Sequence, residues 1–492
     1  MRITNQMMIN NTMSNVQINK YQLNDLDTQL STQKKINRPS DDPVIAIRAL
    51  RLRSSLDQVV RYLDKNIPDA DSWLKTTEGA IDEAYEILTD LYGYCTQGAS
   101  DSYSTSERDT LATSLTKLKE AYYDQGNVDY AGRYLFTGYM TDTPLTYQSD
   151  EDAKGVDYTI TQHFDRNNLE TKTVYTNAYT NDDILNLQYK TDPTTNELVT
   201  PNVEEVYRFR LGYKEVLTTD FSMTITENGT QTALTVDNTV TDPNYIPADG
   251  EIAFNATTGE ILIGKDVYQR LYNADEYSFT YRKDNFIKND VNPVMYYDCV
   301  DNYKNVGVVY KKEAEDIEYN INFAQKLKVN TEANDAFNMY LGRDIDDLIN
   351  AVNNVIDIEN QIKQVDSMLG ESRYQDKDSQ YKLNTIKEGL TKQKELAEEE
   401  MTNAFERGIK QTQNYQQQAS LAKADVGNRM NRLNLTKSRL TEQKTNFTKL
   451  KSENEDIDLE EVVINYTAAE LVYNASLTAA SKVVQQTLLD FL

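Results

Sequence analysis

The chain has 492 residues, enough for two or three domains, and a net charge of −27 from 78 acidic and 51 basic side chains. Such an excess of acid argues against nucleic acid as a partner, because that binding needs a concentrated positive surface. No apolar run reaches the roughly 18 residues of a membrane span, so no membrane insertion is expected.

Helix breakers divide the sequence sharply. No glycine precedes Gly79, no proline follows Pro293 and no glycine follows Gly427. An interior proline costs ~3 kcal/mol and a glycine ~1 kcal/mol, so these stretches permit long helices. The first segment, residues 1–43, reads as a helix to Ile36 in which Lys20 is the first charged residue after Arg2. Ile9, Met13, Val16, Leu23, Leu26 and Leu30 recur at helical spacing and form a candidate packing seam. The opening residues MRITNQMMINNTMSNVQ lack a basic segment followed by an apolar one, so no cleavable secretory signal is expected. Arg38, Pro39, Ser40, Asp41, Asp42 and Pro43 then break the helix. Asp42 is a candidate N-cap, with Pro43 at the first helical position, where its missing N–H costs nothing.

Residues 44–147 continue the helical pattern. Ile45, Ala49, Leu52, Leu56, Val59 and Leu63 step 4-3-4-3-4, a heptad seam. Pro68 predicts a break or a new start, after which Ala70, Trp73, Thr77, Ala80, Ala84, Ile87 and Leu91 carry the stripe on. A shorter helix holds Leu111, Leu115, Leu118 and Tyr122. From Asn127 to Tyr147 the glycines and Pro144 predict a loop or hairpin.

The character changes over residues 148–328. Val156–Ile160, Val206–Arg210 and Met223–Ile225 alternate like strands, and Asn228-Gly229 is a strong hairpin signal. Phe254 to Ile261 reads as a second strand–turn–strand. Eight of the 34 tyrosines fall between Tyr268 and Tyr310. The fold class is therefore mainly α with inserted β: helical arms from both ends, and a β-rich block between them.

Helical pattern resumes in residues 329–455. Leu348, Val352, Val355, Ile362 and Leu369 form one stripe. A very long helix follows, from about Asp378 to Glu455, which at 1.5 Å per residue would extend ~115 Å and belongs in a rod. Phe405, Thr412, Ala419, Val426, Leu433, Leu440 and Phe447 lie seven apart along it. Lys437, Lys444 and Lys451 spoil a companion seam, which favours a bundle over a two-stranded coiled coil. Asp344-Ile-Asp-Asp347 has carboxylates of the kind that hold metals, but at a helix start it better serves the helix dipole.

Residues 456–492 form the last segment. From Val462 onward the only charges are Glu470, Lys482 and Asp490. Val463, Tyr466, Tyr473, Leu477, Ala480, Val484, Leu488 and Phe491 recur at steps of three, four or seven. A helix so poor in charge wants neighbours on most sides. With its counterpart at the N-terminus it suggests a polymer subunit whose ends meet inside an assembly and are unordered before it.

No phosphate loop, nucleophile elbow, histidine pair or cysteine pair is present, so neither an enzyme nor a bound cofactor or metal is expected. His163 is the single histidine and reads as a surface residue. Cys95 and Cys299 read as two unpaired thiols. Asn228-Gly-Thr230 and Asn255-Ala-Thr257 fit a glycosylation sequon that carries little weight here.

Several segments together resemble one family. Gln33 to Pro43, Tyr134-Leu-Phe-Thr-Gly138, Ala424 to Leu433, Asp456 to Glu461, and Tyr473-Asn-Ala-Ser-Leu477 through Leu488 to Leu492 resemble, in order, the flagellin superfamily, and within it the subunits of the hook–filament junction. The heptad seams alone say rod, not flagellum. The resemblance implies a structural adaptor of the bacterial flagellum that joins hook to filament and is needed for filament assembly and motility. It implies a ring of copies between a second hook-associated junction protein and flagellin. Export without a cleavable signal through the flagellar type III pathway, helped by a cytoplasmic chaperone, and an extracellular location follow from it. Two other readings stay open: a filament-forming flagellin, and a secreted adhesin whose β insert binds glycans. The insert itself is expected to be a separable outer domain.

Overall fold

In the computed structural model, residues 5–100, 103–227, 229–272, 274–303 and 307–489 are described, with residues 5 and 484–489 described in their backbone alone. The helices are α1 (Asn5–Thr32), α2 (Pro43–Arg61), α3 (Ile67–Ser100), α4 (Thr105–Gln125), α5 (Asp150–Ala153), α6 (Asn181–Leu185), α7 (Lys265–Leu271), α8 (Ala333–Ala336), α9 (Tyr340–Gly370), α10 (Lys377–Glu455) and α11 (Leu459–Leu489). The strands are β1 (Asp129–Tyr130), β2 (Arg133–Tyr134), β3 (Tyr158–Phe164), β4 (Glu170–Thr176), β5 (Asn202–Arg210), β6 (Ser222–Glu227), β7 (Thr230–Leu234), β8 (Asn238–Val240), β9 (Ile252–Asn255), β10 (Glu260–Ile263), β11 (Glu276–Lys283), β12 (Asp298–Asp301), β13 (Val308–Tyr310), β14 (Glu318–Asn322) and β15 (Gln325–Lys328). The chain divides into two compact units. One comprises residues 1–71, 319–327 and 431–492, the other residues 72–318 and 328–430. These limits differ from those read from composition, because α3 and α10 run unbroken through the cuts.

The first unit is helical. Its α2 begins as expected: Asp42 Oδ1 accepts from the N–H of Val44 at 2.9 Å and of Ile45 at 3.1 Å, and Pro43 takes the first position. Of the break or new start expected at Pro68, the structure has the second: α3 starts at Ile67, with Pro68 in its first turn. A π-turn over Tyr62–Asn66 links α2 to α3. Pro68 follows directly on that wide turn, where the regular bonding ladder is already interrupted. The seam records the extra residue. Val59, Leu63, Ile67 and Ala70 are buried, so two steps of four fall in a row, a local change of phase in the heptad pattern. The tip of the β14–β15 hairpin closes over this turn. Phe323 packs edge-on against Tyr62 at 5.7 Å, and Asn66 donates to the Asn320 carbonyl at 2.7 Å.

The second unit holds the β block. A five-stranded sheet has the order β4-β5-β10-β9-β8, antiparallel except for β8 and β9. A six-stranded sheet has the order β13-β12-β3-β11-β6-β7. The expected hairpins are present: β6 pairs with β7 on either side of Gly229, and β9 with β10 through Gly259, both at positive φ. The two sheets share a core in which Phe209 of β5 lies 5.2 Å from Phe279 of β11 and 5.8 Å from Phe164 of β3. The 255–257 sequon is closed to modification, since Asn255 is fully buried and bonds the Thr257 and Thr258 amides.

The other face of β5 carries Arg208 and Arg210, both buried against α9. Arg208 donates to Glu170, Glu260 and Asp347, the last at 2.7 Å. Arg210 meets Asp344, Asp347 and Glu170, and the Tyr415 hydroxyl of α10 donates to Asp344. Asp344 and Asp347 are thus ion-pair partners of a strand, and Asp346 pairs with Lys119 of α4 at 2.7 Å, so the three do not form a solvated dipole cap. Burial alone would raise the Asp347 pKa, but Arg208 and Arg210 beside it hold it well below the usual carboxylate range. Further contacts bind the sheets to α10. The Thr173 hydroxyl donates to Glu400 at 2.8 Å, the Tyr179 N–H to the Gln393 side chain at 2.8 Å, and Tyr179 lies where a side chain at Gly389 would stand. The insert therefore shares its packing with the helices of this unit.

The long helix keeps its predicted seam. Phe405, Thr412, Ala419, Val426, Leu433 and Leu440 are buried, and Phe447 is half-buried. Its companion row differs from the one expected. It runs through Gly408, Tyr415, Ala422 and Thr436, three residues after Phe405, Thr412, Ala419 and Leu433, which leaves Lys437 exposed. Cys95 and Cys299 are buried free thiols, and burial pushes the Cys95 pKa up to about 12. His163 is on the surface beside Glu276.

Candidate assembly surface

The two ends of the chain meet in the first unit. Helices α1 and α11 pack along each other. They run antiparallel, because residue 34, just past the end of α1, pairs with residue 456, just before the start of α11. A row of shielded positions on α1 runs through Ile9, Thr12, Val16, Asn19, Leu23, Leu26 and Leu30, stepping 3-4-3-4-3-4. Those of α11 are Val462, Tyr466, Ala469, Tyr473, Ser476, Ala480 and Val483, stepping 4-3-4-3-4-3. Both are heptad seams.

Of the residues singled out from sequence, Ile9, Val16, Leu23, Leu26, Leu30, Tyr466, Tyr473 and Ala480 lie on this seam. Met13, Val463 and Leu477 lie off it and are exposed. Sequence reasoning chose these three for their apolar character. The structure fills the corresponding seam positions with Thr12, Val462 and Ser476, small or branched side chains that permit close helix approach. Val484 and Leu488 belong to α11, but their side chains, like all of Phe491, lie outside the described residues.

A polar clamp fixes the register of the pair. The Lys35 N–H donates to the Glu455 carbonyl at 2.7 Å, and the Ile457 N–H to the Gln33 carbonyl at 3.3 Å. Lys34 pairs with Asp456, and the Arg53 guanidinium grips Glu455 with two bonds of 2.7 and 2.6 Å. The Arg53 hydrogen bond holds the Glu455 carboxyl below its ordinary pKa, and Lys34 does the same for Asp456. Between the clamp and α2, the Asn37 and Arg38 amides donate to Asp41 at 3.1 and 2.8 Å. Arg38, Pro39 and Ser40 are exposed at the tip of that turn, so its chemistry is capping.

Pairing satisfies one face of each helix and leaves another bare. On α11, Ile464, Ala468, Leu471 and Ala475 step 4-3-4 along the exposed side, with Ile464 67% and Leu471 73% exposed. A shallow groove there is lined by Val463, Ile464, Thr467, Ala468 and Leu471. On α1, Met7, Met8, Met13, Ile18 and Tyr21 are exposed. Fully burying one such side chain is worth ~1.5–3 kcal/mol, so a row of them is a surface that association can stabilise. No helix among the described residues is long and apolar enough to cross a membrane.

Comparison with known proteins agrees with this arrangement at both ends. The bacterial flagellin N-terminal helical region matches residues 3–141, and the bacterial flagellin C-terminal helical region matches residues 409–492. The flagellar hook-associated protein 3 of Salmonella typhimurium is 30% identical over 172 residues, 34% of this chain and 52% of that protein. Its Escherichia coli namesake is 29% identical over 150 residues, 29% of this chain and 45% of that one. A flagellin of Clostridium tyrobutyricum is 25% identical over 120 residues, 24% of this chain and 32% of that one. The matches thus span about half the length, or less, of these curated relatives. Among solved structures, FlgL of Xanthomonas campestris is 12% identical with a TM-score of 0.31, over 82% of this chain and 99% of that one. The flagellar hook-associated protein 3 of Legionella pneumophila is 12% identical with a TM-score of 0.31, over 82% and 97%. Both terminal helical regions thus match at the chain's two ends and in chain order, and over those stretches the chain is similar to bacterial flagellins and flagellar hook-associated proteins.

Proposed function

We propose that the protein is a structural adaptor of the bacterial flagellum that joins the hook to the flagellin filament and is needed for filament assembly and motility. The observation that carries this reading is the second apolar face of α11. The α1–α11 pair leaves Ile464, Leu471 and their neighbours uncovered in a chain that is otherwise strongly acidic. Copies of the chain in a ring would cover that face, with a second hook-associated junction protein on one side and flagellin on the other. The similarity to two hook-associated proteins supports this choice of neighbours. The role is structural, without cofactor or metal. The protein acts outside the cell, after export through the flagellar type III route with a cytoplasmic chaperone that holds the C-terminal region.

A flagellin is the second reading, favoured by the similarity to the Clostridium tyrobutyricum protein. Polymer length separates the two. Cells lacking the gene are expected to make hooks without filaments and to release flagellin monomers into the medium, and labelled protein in complemented cells should mark one point at the filament base. Label distributed along whole filaments would establish the flagellin reading, and normal filaments in the deletion strain would exclude both.

A further inference from the structure

The exposed side of α2 is both apolar and basic. Val44, Ile47 and Leu50 are each more than half exposed, and Arg48 and Arg51 stand exposed among them. Neither arginine forms an ion pair among the described residues, in contrast to Arg53, which grips Glu455. The first unit as a whole is close to neutral, with 18 basic and 17 acidic residues, while the second has 33 basic and 61 acidic. The negative charge of the chain therefore lies on the second unit, and a basic apolar helix on the first is complementary to it.

The outer side of α3, in the second unit, carries a matching row. Gly79, Glu83, Glu86, Asp90 and Gly93 step 4-3-4-3, opposite the buried Ala84, Leu88 and Leu91. The three carboxylates are exposed and form no ion pair among the described residues. A side chain at either glycine would meet nothing within 4 Å, and neither glycine has a positive φ, so no packing or turn within the chain requires them. Glycine is disfavoured inside a helix, and here it leaves two gaps into which a side chain from outside can reach close to the backbone. On α2, Val44, Ile47, Arg51 and Ser54 step 3-4-3, so both exposed rows have the spacing by which helices pack on each other. We propose that the exposed face of α2 packs on this row of α3 in a second copy of the chain. Arg48 and Arg51 meet Glu83, Glu86 and Asp90, and the apolar side chains lie over the glycines. The contact joins unlike faces, so every pair leaves one face of each kind free and the contact can repeat around a ring. It deepens the ring of copies proposed above and rests on that reading.

The test compares labelled full-length variants in cells lacking the gene, scored by the label at the filament base. Arg48→Glu with Arg51→Glu, and separately Glu83→Arg with Glu86→Arg, should each lower incorporation about tenfold, because each sets like charges against one another. The chain carrying all four substitutions should return to within about twofold of the native level, since the pairs are restored with their signs exchanged. Circular-dichroism melts of the purified variants should coincide with that of the native chain, as the substituted side chains are exposed and unpaired in the free molecule. Normal incorporation of either reversed pair overturns the contact. If the α2 reversal blocks incorporation and the fourfold exchange does not restore it, α2 faces a different protein and the proposal fails. Absence of the native chain's own label from the filament base would overturn the ring reading itself, and the native strain alone shows that.

Discussion

At the scale of single residues, polar side chains do most of the fixing of this chain's turns. Asp42 was legible from sequence as a cap, because an acidic residue before Pro43 and an apolar run has few other uses. Asp42→Ala removes two bonds to orphan amides of α2 and should lower the unfolding free energy of the first unit by about 1 kcal/mol in urea titration. Glu455 and Asp456 were not legible in this role, since their partners Arg53 and Lys34 are about four hundred positions away in sequence. Their pKa values are depressed in the folded protein, so their contribution is complete above the ordinary carboxylate range. It is lost as pH falls through the lower folded values. The melting temperature of the native chain should therefore fall more steeply below about pH 4 than that of Glu455→Gln, with the two curves converging in acid. Parallel curves from pH 6 to pH 3 would show that the clamp contributes nothing.

At the scale of elements, period and phase account for what was foreseen and what was not. A seven-residue repeat locates one row of a helix, and the row from Phe405 to Leu440 is buried as its spacing implied. Spacing leaves open whether the companion row lies three or four residues on. Neighbours decided that in favour of Tyr415 and Ala422 over the lysine-bearing row. The same limit applies to α11, where almost every position is apolar or small and several rows could serve as the seam. The resulting division of labour makes a prediction. Leu471→Asp lies off the α1 seam and is exposed in the free chain, so the circular-dichroism melting curve should be unchanged within about 0.5 kcal/mol. Association should suffer, because a charge desolvated without a partner costs several kcal/mol. Incorporation of this variant into flagella at the normal level would show that the outer face of α11 is not a contact surface.

At the scale of the whole molecule, the insert and the helices around it form a common core in the second unit. Arg208 and Arg210 on β5 reach Asp344 and Asp347 on α9, and Tyr296 bonds the Phe337 carbonyl at 3.1 Å. Removing residues 150–325 with a short linker should therefore lower the melting temperature of the remaining helices by many degrees, since loop closure is cheap but the exposed core is not. A deleted chain that melts within two degrees of the parent, and restores filaments to cells lacking the gene, would show that the insert is separable after all. Sequence by itself determined the helical arms, the β character of the middle, the capped turn at Asp42 and the two charge-poor ends, because each rests on local spacing or on breakers read in one window. Only the tertiary structure decided which row of each terminal helix is covered, that a π-turn joins α2 to α3 ahead of Pro68, and that buried arginines tie the sheet to the helices. Those features depend on partners distant in sequence, and a side chain's type does not say which distant group will neutralise it.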